Sequence, residues 1–264
     1  MVSFTIITVT YNAGNKLKET VSDVLKQTYD NYEIVIKDGL SKDQSLELIP
    51  RSDRIRLKSC KDSGIYDAMN QAVELATGDY IIFMNCGDYF YDENVLKNVA
   101  DIIEKQPGKG IYYGDVCSRI SQTVDHATSQ ITDFVCFRHI PCHQACIFAR
   151  ELFAERAFDL EYKIRADYEF FLRQYYQKEI RPLYTGIVIA DYEGGGYSET
   201  KENLKRDKME HRKITSLYIK KSKLLLYRLI MFITLQPLRR RIAQNKHLAG
   251  TYDRVKTKTS QNRK

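Results

Sequence analysis

The residues best placed to do chemistry are acids that follow apolar runs. Tyr80 to Met84 is a short β-branched and aromatic run that stops at Asn85, Cys86, Gly87 and Asp88, the pattern of a buried strand closed by a polar turn. Ligands of open α/β sheets collect at the carboxyl ends of the strands, where a carboxylate can hold a hard cation against a phosphate-bearing ligand. The competing reading of Asp88 is a turn aspartate after glycine. Asp38 and Asp62 stand in the same setting, each after a strand-like segment. Carboxylates gathered at one sheet edge repel one another unless a cation or a donor-rich ligand satisfies them. A nucleotide offers both, through N–H groups on its base and a divalent metal on its pyrophosphate. Neither GxGxxG nor GxxxxGK[ST] occurs, which excludes a typical dinucleotide or P-loop site.

Alternating elements must position these acids. Phe4 to Asn12 reads as a buried strand, and Leu17 to Gln27 has helical spacing at Leu17, Val21, Val24 and Leu25. Tyr32 to Lys37 is a second strand, followed by a short helix around Gln44 to Ile49 and a third strand over Ile55 to Ser59. Tyr66 to Ala76 reads as a helix with Met69, Ala72, Val73 and Ala76 on one face. This order predicts an α/β fold with a mixed, mostly parallel sheet and flanking helices. Further on, Ile111 to Val116 and Ile187 to Ala190 read as strands, with 118–137 unassigned. Asp115 is a strand-end turn or a sugar contact.

The 264 residues suffice for one large domain and an appendage. Residues 201–264 hold 19 Lys/Arg against 4 Asp/Glu, whereas residues 1–200 carry a net charge of −8. An acidic body argues against nucleic acid as the substrate, and a basic tail beside apolar residues suits an anionic membrane surface. Cys60, Cys86, Cys117, Cys136, Cys142 and Cys146 read as reduced thiols, which fits a cytoplasmic protein. Cys142 and Cys146 with His139 and His143 leave zinc as a minor reading. No signal-peptide order of basic, apolar and small residues opens the chain.

The ordered segments TVTYN (8–12), DGLSKD (38–43), KDSGIYDAMNQAVELATGDYIIFMNCGD (61–88), HQACIF (143–148), ADYEFFLR (166–173) and GGGYS (194–198) resemble family 2 glycosyltransferases of the GT-A (Rossmann-like) fold. They are particularly similar to bacterial polysaccharide-assembly enzymes of the colanic-acid biosynthesis type. The resemblance covers roughly residues 2–200, so 1–200 is expected to be the catalytic domain. It implies transfer of a sugar, with inversion, from a nucleotide diphosphate (UDP favoured) to a saccharide acceptor. Thr10, Tyr11 and Asn12 would border base and ribose, Asp38 would accept from the base, and Asp62 would close the nucleotide pocket. Asp67 and Asn70 would face the donor from the helix. Met69 stands where many relatives have an arginine, with Lys61 as its substitute on phosphate. Asn85 and Gly87 stand where others carry acids, which leaves Asp88 as the ligand for Mg2+ or Mn2+.

On the acceptor side the resemblance brings forward His143, although a lone histidine is as readily structural. Asp167 opens a helix carrying Phe170, Phe171 and Tyr175, where it is a first-turn acid favoured by the dipole or, by its place in the family pattern, the general base. Arg173 is an acceptor contact or a solvated helix residue. Gly195 and Gly196, in a run of three glycines, form a linker or a loop closing over the donor. Residues 201–250 are expected to be a helical basic and apolar extension, packed on the domain or a second subunit or lying on the inner face of a membrane, and 251–264 to be disordered. Membrane contact would suit a lipid-linked acceptor. The competing function is a non-catalytic nucleotide-sugar-binding partner subunit, and homo-oligomerisation is open.

Overall fold

The computed structural model describes residues 1–194 and 201–234. In chain order the first half holds β1 (Phe4–Thr10), α1 (Asn15–Val24), β2 (Tyr32–Asp38), β3 (Ile55–Ser59), α2 (Ile65–Val73), β4 (Tyr80–Phe83), β5 (Tyr89–Phe90) and α3 (Val95–Lys105). The second half adds β6 (Ile111–Ser118), β7 (Thr123–Asp125), α4 (Asp133–Arg138), β8 (Cys146–Ala149), α5 (Ala166–Gln177), β9 (Leu183–Tyr192), α6 (Lys201–Tyr218) and α7 (Lys221–Ile233). Among the described residues the strands form one sheet in the order β3-β2-β1-β4-β8-β6-β9-β5, with β7 paired to β6.

The first four strands are parallel, and all seven residues of β1 are buried. Continuous apolar strands of this kind fit the centre of a sheet covered on both faces. Helix α1 offers Leu17, Thr20, Val21 and Val24 to the core, one stripe at helical spacing. Helix α2 buries only Ala68, Met69 and Ala72. Beyond β4 the direction changes. β8 runs antiparallel to both β4 and β6, whereas β9 is parallel to β6. The inversion places the start of β8 and the end of β9 at the edge where β1, β2 and β4 end.

Several expectations need correction. The helix expected over Gln44 to Ile49 is a 3-10 turn, Gln44–Leu46, whose preceding Asp43 accepts from the Ser45 N–H. The unassigned stretch contains β7 and α4. Asp115 lies inside β6, 3 % exposed, and accepts from His126 Nδ1, the Ala127 N–H and the Tyr184 hydroxyl. It is neither a turn residue nor open to a sugar, because its three donors already satisfy it. The body expected to end at residue 200 extends through Ile214, and a second compact unit begins at Thr215. That second unit includes α7, which exposes Leu225, Leu226, Leu229 and Phe232. Among the described residues no helix is long and apolar enough to cross a membrane. Gly195, Gly196 and residues 235–264, including the end expected to be disordered, lie outside the described residues.

The entry to β4 is sterically tight. A Cβ on Gly78 would stand 2.6 Å from the Phe4 carbonyl carbon and 2.7 Å from the Thr5 nitrogen, both backbone atoms. Gly78→Ala should therefore cost roughly 1–3 kcal/mol, as overpacking of a rigid interior does. The expected outcome is a lower urea midpoint at unchanged m-value; an unchanged midpoint would contradict the close approach.

Candidate active site

Two cavities open at the carboxyl edge. The first, about 490 Å³, is lined by Thr10 and Tyr11 after β1, by Asp62 to Ala68 at the start of α2, and by Leu160, Tyr162 and Lys163. The second, about 450 Å³, contains Asn85, Asp88, His143, Gln144, Asp167 and Glu193. Ile65, Tyr66 and Lys163 line both.

The first cavity is framed by a buried lysine. Lys37, fully buried on β2, donates to the Asp38 carbonyl at 2.8 Å, the Cys60 carbonyl at 2.7 Å and the Asp62 carboxylate at 2.9 Å. A buried ammonium is tolerable only when paired and fully hydrogen-bonded, and this one binds the ends of β2 and β3 together. A Cβ on Gly39 would stand 2.9 Å from the Asp62 carboxylate, so glycine lets the two loops meet. Tyr11 is 65 % exposed beside the opening, a free aromatic face. Asp67 lines the cavity while accepting from the Ser63 N–H and Gln71.

Several of the residues singled out in the sequence are held by partners within the fold. Asp38 is fully buried and accepts from the Leu40 and Ser41 N–H groups and from the Ser41 and Ser59 hydroxyls. Burial alone would raise its carboxyl, but these donors hold it below the usual range. It organises its own turn. The Asn70 amide is committed to the Phe158 backbone in both directions at 2.9 Å. Arg173 is 5 % exposed, donates to the Arg156 and Ala157 carbonyls and pairs with Glu169 at 3.3 Å, so it is neither solvated nor turned to an acceptor. Asn12 joins the first two strand-end loops through Ser41 and Lys42. Lys61 is exposed and lines neither cavity.

In the second cavity the Asp88 loop is fixed from several sides. Thr20 Oγ1 accepts from the Gly87 N–H and donates to the Asp88 carbonyl, and Arg119 donates to the Gly87 carbonyl. The Asp88 carboxylate, on a residue 5 % exposed, accepts from Gln144 Nε2 at 2.8 Å and from the Glu193 N–H at 3.0 Å. Burial raises its carboxyl above the ordinary range despite these two neutral donors. Nearby, Asn85 Oδ1 is buried without a hydrogen-bond partner among the described residues. The loop thus has hard oxygen acceptors in excess of donors, the chemistry that a magnesium or manganese ion satisfies. No group of three His, Cys, Asp or Glu side chains among the described residues could hold a metal, so such an ion would take its other ligands from a diphosphate and water. The zinc reading finds no ligand set among the described residues.

Asp167, the second residue of α5, faces the same cavity. Its Oδ1 accepts from the Tyr66 hydroxyl at 2.8 Å, and its Oδ2 lies 3.5 Å from His143 Nδ1. Burial acts to raise this carboxyl, yet His143 and Tyr66 more than offset it and hold it below the ordinary value. The Tyr66 phenol is pushed far up by burial and by Asp167, so it remains a donor. The turn before α5 is held by Glu210, which accepts from the Lys163, Ile164 and Arg165 N–H groups at 2.9 Å. Arg165 pairs with Asp207 at 2.7 Å. Tyr66, Gln144 and Glu193 adjoin segments conspicuous in the sequence, but nothing local marks Glu210 as an anchor of this site.

Known proteins share the sequence pattern and the fold. The glycosyl transferase family 2 model matches residues 5–155. A mycobacterial "PGL/p-HBAD biosynthesis glycosyltransferase", from Mycobacterium bovis and Mycobacterium tuberculosis, is 33 % identical over 79 % of this chain and 85 % of its own. The "Amylovoran biosynthesis glycosyltransferase AmsB" of Erwinia amylovora is 27 % identical over 65 % of this chain and 64 % of its own. In three dimensions the chain resembles S. aureus TarS in complex with UDP-GlcNAc, with a TM-score of 0.63 at 18 % identity over 78 % of this chain and 65 % of that one. It also resembles the mannosyltransferase PcManGT of Pyrobaculum calidifontis in complex with GDP-Man and Mn2+, with a TM-score of 0.59 at 18 % identity over 72 % of this chain and 56 % of that one. The chain therefore spans less than two thirds of either solved chain. The GT-A fold is common to them.

A carboxyl raised in the folded state makes the folded chain the better proton binder, so Asp88 lowers stability as the pH rises through its titration. Asp88→Asn removes this titration, so its stability should fall less steeply than that of the wild type as the pH rises from about 4, whatever the cost of losing one of the two accepting oxygens. Thermal melts across that range check this; equal slopes for the two proteins would contradict it.

Proposed function

The chain belongs to glycosyl transferase family 2 and is a glycosyltransferase, and from that premise we propose that it transfers a sugar from a UDP-sugar, with inversion, to a saccharide acceptor. The observation carrying this reading is that Asp88 and Asp167 line one cavity, joined to a second cavity of nucleoside size. Tyr11 would stack on the base, and Asp62 and Asp67 would meet base or ribose donors in the first cavity, with Thr10 at its wall. The diphosphate would cross toward Asp88, passing Lys163, which lines both cavities. In this reading Lys163, which lines both cavities, would replace the arginine absent at Met69 in place of Lys61.

Asp88 would hold a magnesium or manganese ion with Asn85 Oδ1 beside it. Bound there, such an ion would neutralise charge on the departing diphosphate. Asp167 is the general base. The acceptor oxygen forms its bond to the anomeric carbon, its proton passes to the Asp167 carboxylate, and the bond from that carbon to the diphosphate oxygen breaks with its electron pair. A base held ionised by Tyr66 and His143 is ready for this step at neutral pH. A nucleotide-sugar-binding subunit without catalysis would have no use for it.

The acceptor is lipid-linked in this reading, and the product enters a surface polysaccharide at the inner face of the membrane. Helix α7 supports this: Lys221, Lys223 and Arg228 accompany its exposed leucines and Phe232, with no acidic residue. Such a helix binds an anionic bilayer surface without crossing it.

Turnover of UDP-, GDP- and dTDP-sugars with Mg2+ or Mn2+ tests the reading in the presence of a lipid-linked saccharide. One donor should be consumed, and Asp167→Asn should lower kcat by about 10²–10⁴-fold while nucleotide affinity is retained. Absence of nucleotide binding by the wild type would overturn it.

A further inference from the structure

We propose that His143 is a positioning residue that joins the proton-accepting carboxylate to the donor-binding loop, orienting Asp167 through Nδ1 and fixing the amide of Asn85 through Nε2. The proposal rests on the catalytic reading above and assigns a role to a side chain that touches neither reacting atom. The imidazole stands between two groups from distant parts of the chain, with Nδ1 3.5 Å from Asp167 Oδ2 and Nε2 3.1 Å from Asn85 Nδ2. An amide nitrogen only donates, so Nε2 accepts and the ring proton sits on Nδ1, facing the carboxylate.

Two consequences follow from that tautomer. Asp167 accepts from the Tyr66 hydroxyl on Oδ1 at 2.8 Å, and His143 Nδ1 faces Oδ2 at 3.5 Å, a polar contact longer than an ordinary hydrogen bond, so the carboxylate is flanked on both sides. Asn85, with its nitrogen committed to His143, presents Oδ1 as a buried acceptor with no partner among the described residues. His143 therefore decides which end of the Asn85 amide the donor side meets. Nε2 is covered by Asn85, so the ring is not itself the proton acceptor.

The neighbouring residue completes the connection. Gln144 donates to Asp88 Oδ2 at 2.8 Å, so one 3-10 turn, His143–Ala145, reaches both carboxylates. That turn is closed by the Ala145 N–H on the Cys142 carbonyl and leads directly into β8. The contacts to the base and to the donor loop both run through it. His211 provides a contrast, as it stacks on Tyr168 and contacts the Phe137 carbonyl on the scaffold side.

Three variants separate the two contacts. Asparagine places its amide nitrogen near the position of Nδ1, and glutamine places its terminal amide near that of Nε2. His143→Asn should keep the donor to Asp167 and hold kcat within about tenfold of the wild type. His143→Gln and His143→Ala should lose about 10²-fold, the size of effect expected when a reacting group is misplaced. UDP affinity, measured by calorimetry, should stay within about threefold in His143→Gln, which keeps a group against Asn85. Equal losses in the three variants, or a His143→Ala enzyme within about threefold of the wild-type kcat, would overturn the proposal. The ¹⁵N NMR shifts of the His143 ring in the wild type give an independent readout that needs no turnover: Nδ1–H is expected, and Nε2–H with a bare Nδ1 would overturn it. A wild type that turns over no donor would overturn the catalytic reading instead, and the ring shifts would still decide the geometry.

Discussion

The structure depends on keeping carboxylates ionised at one nearly dry edge of a sheet. A carboxylate drawn out of water must find replacement donors or take up a proton. The chain solves this differently at each acid, and the differences separate scaffold from chemistry. Asp38 has four donating groups and faces nothing outside the fold. Asp62 leans on the buried Lys37 ammonium but still lines a cavity. Asp88 has two neutral donors and a raised carboxyl, and Asp167 has a phenol and an imidazole and remains readily ionised. Asp88 and Asp167 share one cavity.

Topology makes that sharing possible. A wholly parallel sheet would deliver only strand ends to this edge. The antiparallel β8 instead delivers a strand beginning, which is how His143 and Gln144 come to stand beside Asn85 and Asp88. β9, parallel to β6, ends at the same edge and supplies the Glu193 N–H to Asp88. Asp167 arrives on a helix start held by Glu210 of α6, so the region past residue 200 takes part in the site.

Much of this was legible in the sequence where the signal is local. The parallel half, its apolar strands and the acids that follow them read directly from period and composition, and Asp88 and Asp167 stood out within ordered segments. What was not legible depends on partners far along the chain. Asp38 looks like a ligand-facing acid until Ser59, 21 residues away, is seen donating to it. Arg173 sits on a helix whose spacing suggests an exposed face, yet carbonyls of residues 156 and 157 enclose it. Asn70 belongs to a motif that suggests donor contact, but Phe158 folds back onto it. The division at residue 200 followed the reach of the family resemblance, whereas packing carries the body on to Ile214. Lys163 and Tyr66 bridge two cavities that no spacing rule predicts.

The central claim is that Asp167 activates an acceptor on the face opposite the departing diphosphate. The stereochemistry of the product tests this most directly, by ¹H NMR coupling at the new anomeric centre immediately after transfer from an α-linked nucleotide sugar. The account predicts a β-linked product. An α-linked product, with the configuration retained, would contradict it.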